Sequence, residues 1–341
     1  MCILFLFIYH TLMVYNVFEN FYIKGDGVPA TGAFFTATWP WLMPLLFLIA
    51  GISSAYALEK RTAKEYLSDR TRRLLVPLIF GILLLVPMQT YFAEVFHNGY
   101  TGNYLEQYVL FFTKFTDLTG YEGGFTPAHL WFILYLFIIS AVALPVMYLY
   151  RRSAKKIPAD KIPLPVLILL FVIPVFTQMI LDIGGKSLGE YLTWFLFGYF
   201  FISNDGVQEK LRRYRFLLLA LTLSCIAAFM LFEEAVESNW ILFELFYMFF
   251  AWVTMLSIIG LGKQYLNFAT RTTAYLSRSS FGIYLFHQQW IVVTAYFAVL
   301  WIPGIPLQII FIILASVVLT FLTYEVFRRS SVTRFMFGLK K

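Results

Sequence analysis

Two histidines stand inside long apolar stretches of this chain. His10 falls about nine residues before the end of the first stretch, and His287 about eight residues after the start of the ninth. Ionisable groups within a membrane-spanning helix are expensive, and they are functional candidates for that reason. A neutral imidazole at mid-membrane could act as a general base near pH 7. It could equally hydrogen-bond a neighbouring helix and have only a structural role in helix packing.

A pair of arginines forms the second candidate group. Arg70 and Arg73 lie three residues apart at the start of an apolar stretch, so an α-helix would place them on one face. Two guanidinium groups on one face suit a phosphate or pyrophosphate ligand, because each offers a planar fork of donors. They could also be topological anchors that contact lipid phosphates, and the spacing alone favours that reading.

Three further residues are secondary candidates. Glu325 lies near the end of the last apolar stretch, where it could pair with a basic residue of another helix or be a simple interfacial charge. Trp131 opens the fourth stretch, and an interfacial aromatic belt would account for it. His129 would then lie at the same interface, within reach of a substrate hydroxyl.

The elements that position these residues are predicted to be membrane-spanning helices. The chain is 60% hydrophobic and only 13% charged, whereas a soluble domain carries roughly 25% charged residues. A helix needs about 20 mostly apolar residues to cross a bilayer. We therefore predict an all-α polytopic bundle of about ten transmembrane helices, forming a single domain over residues 1–341. The predicted spans are 2–18, 39–58, 74–93, 131–150, 164–181, 188–203, 215–232, 240–260, 279–301 and 305–327.

The charge distribution predicts the orientation of this bundle. Of the 26 Lys and Arg residues, 23 fall in alternate loops and the C-terminal tail. The positive-inside rule makes that side cytoplasmic and places both termini there. The net charge of +7 thus reflects topology, and it predicts contact with membrane lipids and not with nucleic acid.

Several kinds of chemistry lack their sequence motifs. The chain contains no GxSxG, P-loop or GxGxxG motif, and its two cysteines, Cys2 and Cys225, do not have metal-site spacing. We therefore predict no metal cofactor, no covalent serine chemistry and no nucleotide hydrolysis. A membrane-buried base with a basic cytoplasmic face remains. It would suit a transferase with a phosphate-bearing donor, or an anion transporter.

Six motifs, in order along the predicted spans, resemble the membrane acyltransferase 3 family, including its glucan biosynthesis protein C branch. The resemblance covers essentially the whole chain. The six segments are the Phe-Ile-Tyr-His ending at His10, Leu-Phe-Leu-Ile-Ala-Gly at 46–51, Arg-Thr-Arg-Arg at 70–73, His-Leu-Trp-Phe at 129–132, Ser-Phe-Gly-Ile-Tyr-Leu-Phe-His ending at His287, and Tyr-Glu ending at Glu325.

This resemblance implies transfer of an acetyl or succinyl group from cytoplasmic acyl-CoA to a carbohydrate or glycan hydroxyl on the outer face of a bacterial-type inner membrane. It implies that His10 is the general base and that Arg70 and Arg73 bind the CoA phosphates. Glu325 and His287 would support the acyl channel.

One departure from the family pattern concerns the N-terminus. The family's basic residue eleven positions before the histidine would precede Met1, which predicts a truncated N-terminus or a misplaced start. Two other hypotheses remain open: a secondary transporter or flippase for an anionic or sugar-linked solute, and an inactive scaffold. The lack of a clear internal repeat counts against transport.

Overall fold

A computed structural model describes residues 2–237 and 239–340, and within these ranges the chain is helical and contains no β-strand. The first helices are α1 (Cys2–Met13), α2 (Ala30–Glu59), α3 (Ala63–Arg70), α4 (Val76–Leu84), α5 (Val86–Asn98), α6 (Tyr104–Thr113), α7 (Trp131–Arg152), α8 (Leu164–Leu169) and α9 (Val172–Thr177). They are followed by α10 (Leu188–Phe197), α11 (Asp205–Arg213), α12 (Arg215–Glu237), α13 (Trp240–Tyr265), α14 (Arg271–Trp301), α15 (Ile305–Phe327) and α16 (Ser331–Met336).

Helices occupy the positions of all ten predicted spans, and seven of them are long and apolar enough to cross a membrane. The other three are shorter apolar helices, at Cys2–Met13, Leu164–Thr177 and Leu188–Ile202. The all-α class of membrane protein is therefore confirmed, with seven candidate spans in the described residues. A total of ten and the cytoplasmic location of both termini stay predictions.

The first helix ends five residues before the predicted boundary, and Asn16 explains why. Its side-chain amide donates to the Met13 carbonyl, and its side-chain oxygen accepts from the backbone N–H groups of Phe18 and Glu19. An asparagine that satisfies local backbone groups in this way favours a turn over a continued helix. The chain therefore leaves α1 as a loop over residues 14–29.

The third predicted span begins earlier than expected and contains an irregular turn. Helix α3 starts at Ala63, and a π-helical turn, Thr71–Leu75, joins it to α4. Single π-turns within helices are rare and are frequently found at functional sites. Here the π-turn follows Arg70 directly and includes Arg73.

The chain forms two compact units. Unit 1 comprises Met1–Gly32, Asp69–Leu134 and Thr270–Lys341, and unit 2 comprises Ala33–Ser68 and Tyr135–Ala269. Every candidate residue from the sequence lies in unit 1.

Helix α14 is the central element of unit 1. Helices α1, α5 and α15 all pack against it. A hydrogen bond of 2.9 Å from Trp290 Nε1 to Thr323 Oγ1 joins α14 to α15. The side chains of α14 from Gly282 to Gln289 are all buried. Residues on this stretch therefore face neighbouring helices on all sides.

In unit 2, two glycines allow the backbones of two helices to come into close contact. A Cβ atom at Gly51 would lie 1.9 Å from the Phe195 carbonyl oxygen, and one at Gly198 would lie 2.0 Å from the Leu48 carbonyl oxygen. Only glycine permits this approach of α2 to α10, in the manner of small-residue contacts between membrane helices.

Candidate functional site

Three histidines from distant parts of the chain meet in unit 1. The ring centroids of His10 and His287 lie 5.2 Å apart, and those of His129 and His287 also lie 5.2 Å apart. His287 is fully buried, His129 is 7% exposed, and His10 is half-buried. The structure thus unites two residues predicted at mid-membrane with one predicted at the outer interface.

The hydrogen bonds of His287 and His129 define which ring nitrogens are free. His287 Nδ1 lies 2.7 Å from the Tyr284 carbonyl oxygen, and His129 Nε2 lies 3.1 Å from the Leu285 carbonyl oxygen. A carbonyl can only accept, so these nitrogens carry the hydrogen in the neutral rings. His287 Nε2 and His129 Nδ1 are therefore bare, and both are buried without a partner.

His10 also presents a free nitrogen to the protein interior. Its Nδ1 is buried and has no hydrogen-bond partner. An uncompensated buried polar atom is rare in native structures, and it commonly marks a catalytic role or a site for water or ligand. Three such nitrogens in adjacent rings, referred to here as the histidine cluster, form a centre that can accept hydrogen bonds from a ligand or water.

Local backbone geometry places His129 in the cluster. It lies in a 3₁₀ turn, Ala128–Leu130, whose first residue has a φ of 48°, a conformation that costs energy for a residue other than glycine. The Thr126 hydroxyl accepts from the Ala128 N–H at 2.8 Å, and the Tyr284 hydroxyl donates to the His129 carbonyl. These bonds stabilise the turn and hold His129 against α14.

An aromatic group from two loops covers His10. The Phe21 ring stacks on the His10 ring with 6.2 Å between centroids, and Tyr121 contacts Phe21 at 5.6 Å. Burial raises the pKa of Tyr121, and Glu19 and Asp117 raise it further. Its phenol therefore stays protonated at neutral pH and remains a hydrogen-bond donor.

The predicted arginine pair lies on either side of the start of the π-turn. Arg70 is the last residue of α3 and is half-buried, whereas Arg73 is exposed and pairs with Asp69 across 2.8 Å. In a regular α-helix the two residues would share one face. The wider π-turn rotates Arg73 further from Arg70 around the helix axis than α-helical spacing would.

More arginines lie near this turn. Arg72 sits over the Phe335 ring of α16 at 6.0 Å. The neighbouring Arg334 donates to the backbone carbonyls of Arg328 and Arg329 at 3.0 and 3.2 Å. This region, here called the basic end, consists of Arg70, Arg72, Arg73, Arg328, Arg329 and Arg334. The charge pattern of the sequence predicts these arginines on one side of the membrane, but the contact of α16 with the arginine motif was not predicted.

Glu325 belongs to the basic end. Its carboxylate binds Arg328 Nε at 2.7 Å and accepts a hydrogen bond of 2.7 Å from the Tyr275 hydroxyl. Tyr275 precedes His287 by twelve residues on α14, which is about 18 Å along a helix. Glu325 therefore meets α14 far from the histidine cluster. Its basic partner, Arg328, lies three residues later at the end of the same helix, whereas the sequence-based alternative placed that partner on another helix.

The distance from the basic end to the histidine cluster can be read along α14. Phe281 and the Arg73 carbonyl oxygen both approach Gly338, each 3.4 Å from the position of a Cβ there. Phe281 precedes His287 by six residues, or about 9 Å along the axis. A donor bound at the basic end would need to extend at least that far to reach the histidines.

The remaining predicted residue is Trp131, which is half-buried at the first position of α7, two residues after His129. Several uncharged polar side chains were not predicted as site residues. Gln89, Gln288 and Gln289 are buried and carry unpartnered amide atoms. An amide within an apolar stretch is itself a polar group inside the membrane, and that signal was available in the sequence. In the described part of the chain, no group of three or more His, Cys, Asp or Glu side chains is arranged to hold a metal ion.

Comparison with known proteins gave one match. A family model described as an acyltransferase domain, of the acyltransferase 3 type, matches residues 1–325. Searches of curated proteins and of solved structures found no significant match.

Proposed function

The chain belongs to the acyltransferase 3 family, and on this premise we propose that it moves an acetyl or succinyl group from acyl-CoA to a carbohydrate hydroxyl. The observation that carries the proposal is the histidine cluster, in which three adjacent imidazoles each have a buried nitrogen without a partner. General bases need such a free lone pair.

In the proposed reaction, His10 takes the proton of the acceptor hydroxyl. The hydroxyl oxygen attacks the thioester carbonyl, a C–O bond forms, and the C–S bond breaks to release CoA as a thiolate. The proton on the imidazole then neutralises the thiolate. His10 suits this role because it is half-buried, whereas His287 is fully buried.

The other two histidines are proposed to share the proton that His10 receives. His287 lies between His10 and His129, and the free nitrogen of each ring can accept a hydrogen bond from a neighbour or from water. A positive charge delocalised over hydrogen-bonded groups is less costly in a low-dielectric interior than one on an isolated ring.

The basic end is proposed to bind the phosphates of CoA. Arg70 and Arg73 carry the forked donors that recognise phosphate, and Arg72 and Arg334 lie beside them in the folded chain. Glu325 would orient Arg328 through their ion pair. The positive-inside rule then supports a cytoplasmic donor site and an acceptor that approaches from the outer face of the inner membrane.

The test is acyl transfer by the protein purified in lipid nanodiscs, with acetyl-CoA and succinyl-CoA as donors and glucose oligosaccharides as acceptors. We expect CoA release that depends on the saccharide, and a labelled acyl ester on the sugar. Binding of acyl-CoA without any transfer would contradict the proposed reaction. Saccharide or anion flux across proteoliposomes without ester formation would instead support a transporter.

A further inference from the structure

A group of buried polar atoms in unit 1 extends beyond the histidine cluster. Both amide atoms of Gln89, the side-chain oxygens of Gln288 and Gln289, and the Thr11 hydroxyl are buried without a hydrogen-bond partner. These four residues, called here the amide site, lie on α14 and on α1 and α5, each of which packs against α14. Such groups are costly to leave unsatisfied, so a native structure supplies them with water or a ligand.

Two contacts give the position of Gln89 relative to His287. Pro77 and Phe281 both lie against Gly338 near the basic end, and Phe92 contacts Tyr296 with 5.0 Å between ring centroids. Pro77 and Phe92 are fifteen residues apart, and so are their partners Phe281 and Tyr296 on α14. The segment from Pro77 to Phe92 therefore runs parallel to α14.

In this register Gln89 is level with residue 293 of α14. It therefore lies about six residues beyond His287, or about 9 Å along the axis, on the side away from the basic end. Gln288 and Gln289 are one and two residues after His287, so they lie within this interval along the axis of α14. Thr11 directly follows His10. The unpartnered atoms thus continue from the histidine cluster in one direction.

The chemistry of the amide site indicates the class of ligand. All four residues are uncharged, and each amide offers both donors and an acceptor, which matches a hydroxyl group that also does both. The nearest acidic group along α5, Glu94, is already neutralised by Lys114 at 2.6 Å. A neutral ligand with several hydroxyl groups fits these partners, and a charged one does not.

We propose that the amide site is the subsite that holds the sugar acceptor, and that Gln89 is its specificity-determining residue. The inference rests on the proposed acyltransferase function, because it assigns the acceptor of that reaction. With the sugar bound to Gln89, Gln288 and Gln289, one hydroxyl can reach the free nitrogen of His10. The acyl donor then approaches from the opposite end of α14.

Gln89→Leu is the main test variant. Leucine has a similar size and removes an unsatisfied polar group, so the melting temperature of the variant without sugar should equal or exceed that of the wild type. Glucose disaccharides and oligomers of up to six residues should raise the melting temperature of the wild-type protein in nanodiscs. That shift should be lost in Gln89→Leu, and the acceptor KM in acyl transfer should rise about tenfold or more.

Gln308→Leu is the matched control. Both ends of the Gln308 amide are already bonded, to the Tyr15 hydroxyl at 3.0 Å and to the Ile302 carbonyl at 2.8 Å. We expect this variant to melt at a lower temperature and to keep the wild-type acceptor KM. A ligand-binding amide is therefore expected to change the acceptor KM without loss of melting temperature, and a structural amide is expected to do the reverse.

The outcomes distinguish the subsite from the reaction. If acyl transfer proceeds with the same acceptor KM in Gln89→Leu as in the wild type, or if no saccharide stabilises the wild-type protein, the amide site is not the acceptor subsite. If saccharides stabilise the wild type through Gln89 while acetyl-CoA and succinyl-CoA give no ester, the sugar site stands and the acyltransferase function fails.

Discussion

The centroids of the imidazole rings of His10 and His287 lie 5.2 Å apart although the two residues are 277 positions apart in the chain. Helices α1 and α14 pack together, and this contact joins the first described helix to the penultimate apolar one. His129 completes the group through a turn between α6 and α7. The candidate site is therefore assembled from three distant parts of unit 1.

The first prediction concerns the base. His10→Gln should reduce acyl transfer by about 10²- to 10⁴-fold, the usual contribution of a general base. Binding of acetyl-CoA should stay within about twofold of the wild type, because His10 lies away from the basic end. Transfer at the wild-type rate by a properly inserted His10→Gln protein would remove His10 from this role.

The second prediction concerns the donor site. Arg70→Ala and Arg73→Ala should each raise the KM for acetyl-CoA about tenfold, because a charge-assisted hydrogen bond contributes roughly 1.5–3 kcal/mol. Arg152→Ala in unit 2 is the control. Arg152 is an exposed arginine whose guanidinium lies over Tyr148 at 4.7 Å. Equal effects of all three substitutions would point to general surface charge and away from a phosphate site.

The third prediction asks whether Glu325 acts in acyl-CoA binding or in the chemical step. Glu325→Gln removes the ion pair with Arg328 and keeps a side chain that can accept from Tyr275. We expect a several-fold rise in the KM for acyl-CoA and a kcat within about threefold of the wild type. A large fall in kcat with unchanged KM would place Glu325 in the chemical step, in contradiction to its distance along α14 from His287.

The fourth prediction tests the close helix contact of unit 2. Gly51→Ala should lower the free energy of unfolding by about 1–3 kcal/mol or more, because its methyl group would overlap the Phe195 carbonyl oxygen. Gly32→Ala lies on the same helix and meets no atom within 4 Å. That control should be neutral or stabilising by up to about 1 kcal/mol. Similar melting temperatures for both variants would refute the close approach.

The fifth prediction concerns the loop after α6. Gly123 has a φ of 83°, and a Cβ there would lie 2.1 Å from Glu94 Oε1, so Gly123→Ala should displace the buried Glu94 carboxylate and its ion pair with Lys114. Gly184 has a φ of 61° and open space around it. Gly184→Ala therefore reports backbone strain alone, roughly 1–2 kcal/mol. The melting temperature of Gly123→Ala should fall clearly below that of Gly184→Ala, and equal values would count against the contact with Glu94.

The sequence by itself determined the class of protein and the identity of most candidate residues. Apolar stretches of about 20 residues and a low charge content predict membrane helices, because a bilayer admits few other structures. The six ordered motifs indicated the family, which the match over residues 1–325 confirms. His10 and His287 stood out because ionisable groups are rare in such stretches, and the arginine motif stood out because its spacing suits a phosphate ligand.

Only the tertiary structure decided how these residues are arranged. Local spacing places Arg70 and Arg73 on one face of an α-helix, but the π-turn at Thr71–Leu75 changes that face. Local spacing in the sequence could not reveal that His129 meets His287, or that Gln89 lies buried without a partner near α14. Helix packing brings together side chains that are far apart in the chain, and periodicity within one helix carries no information about which neighbour that helix will face.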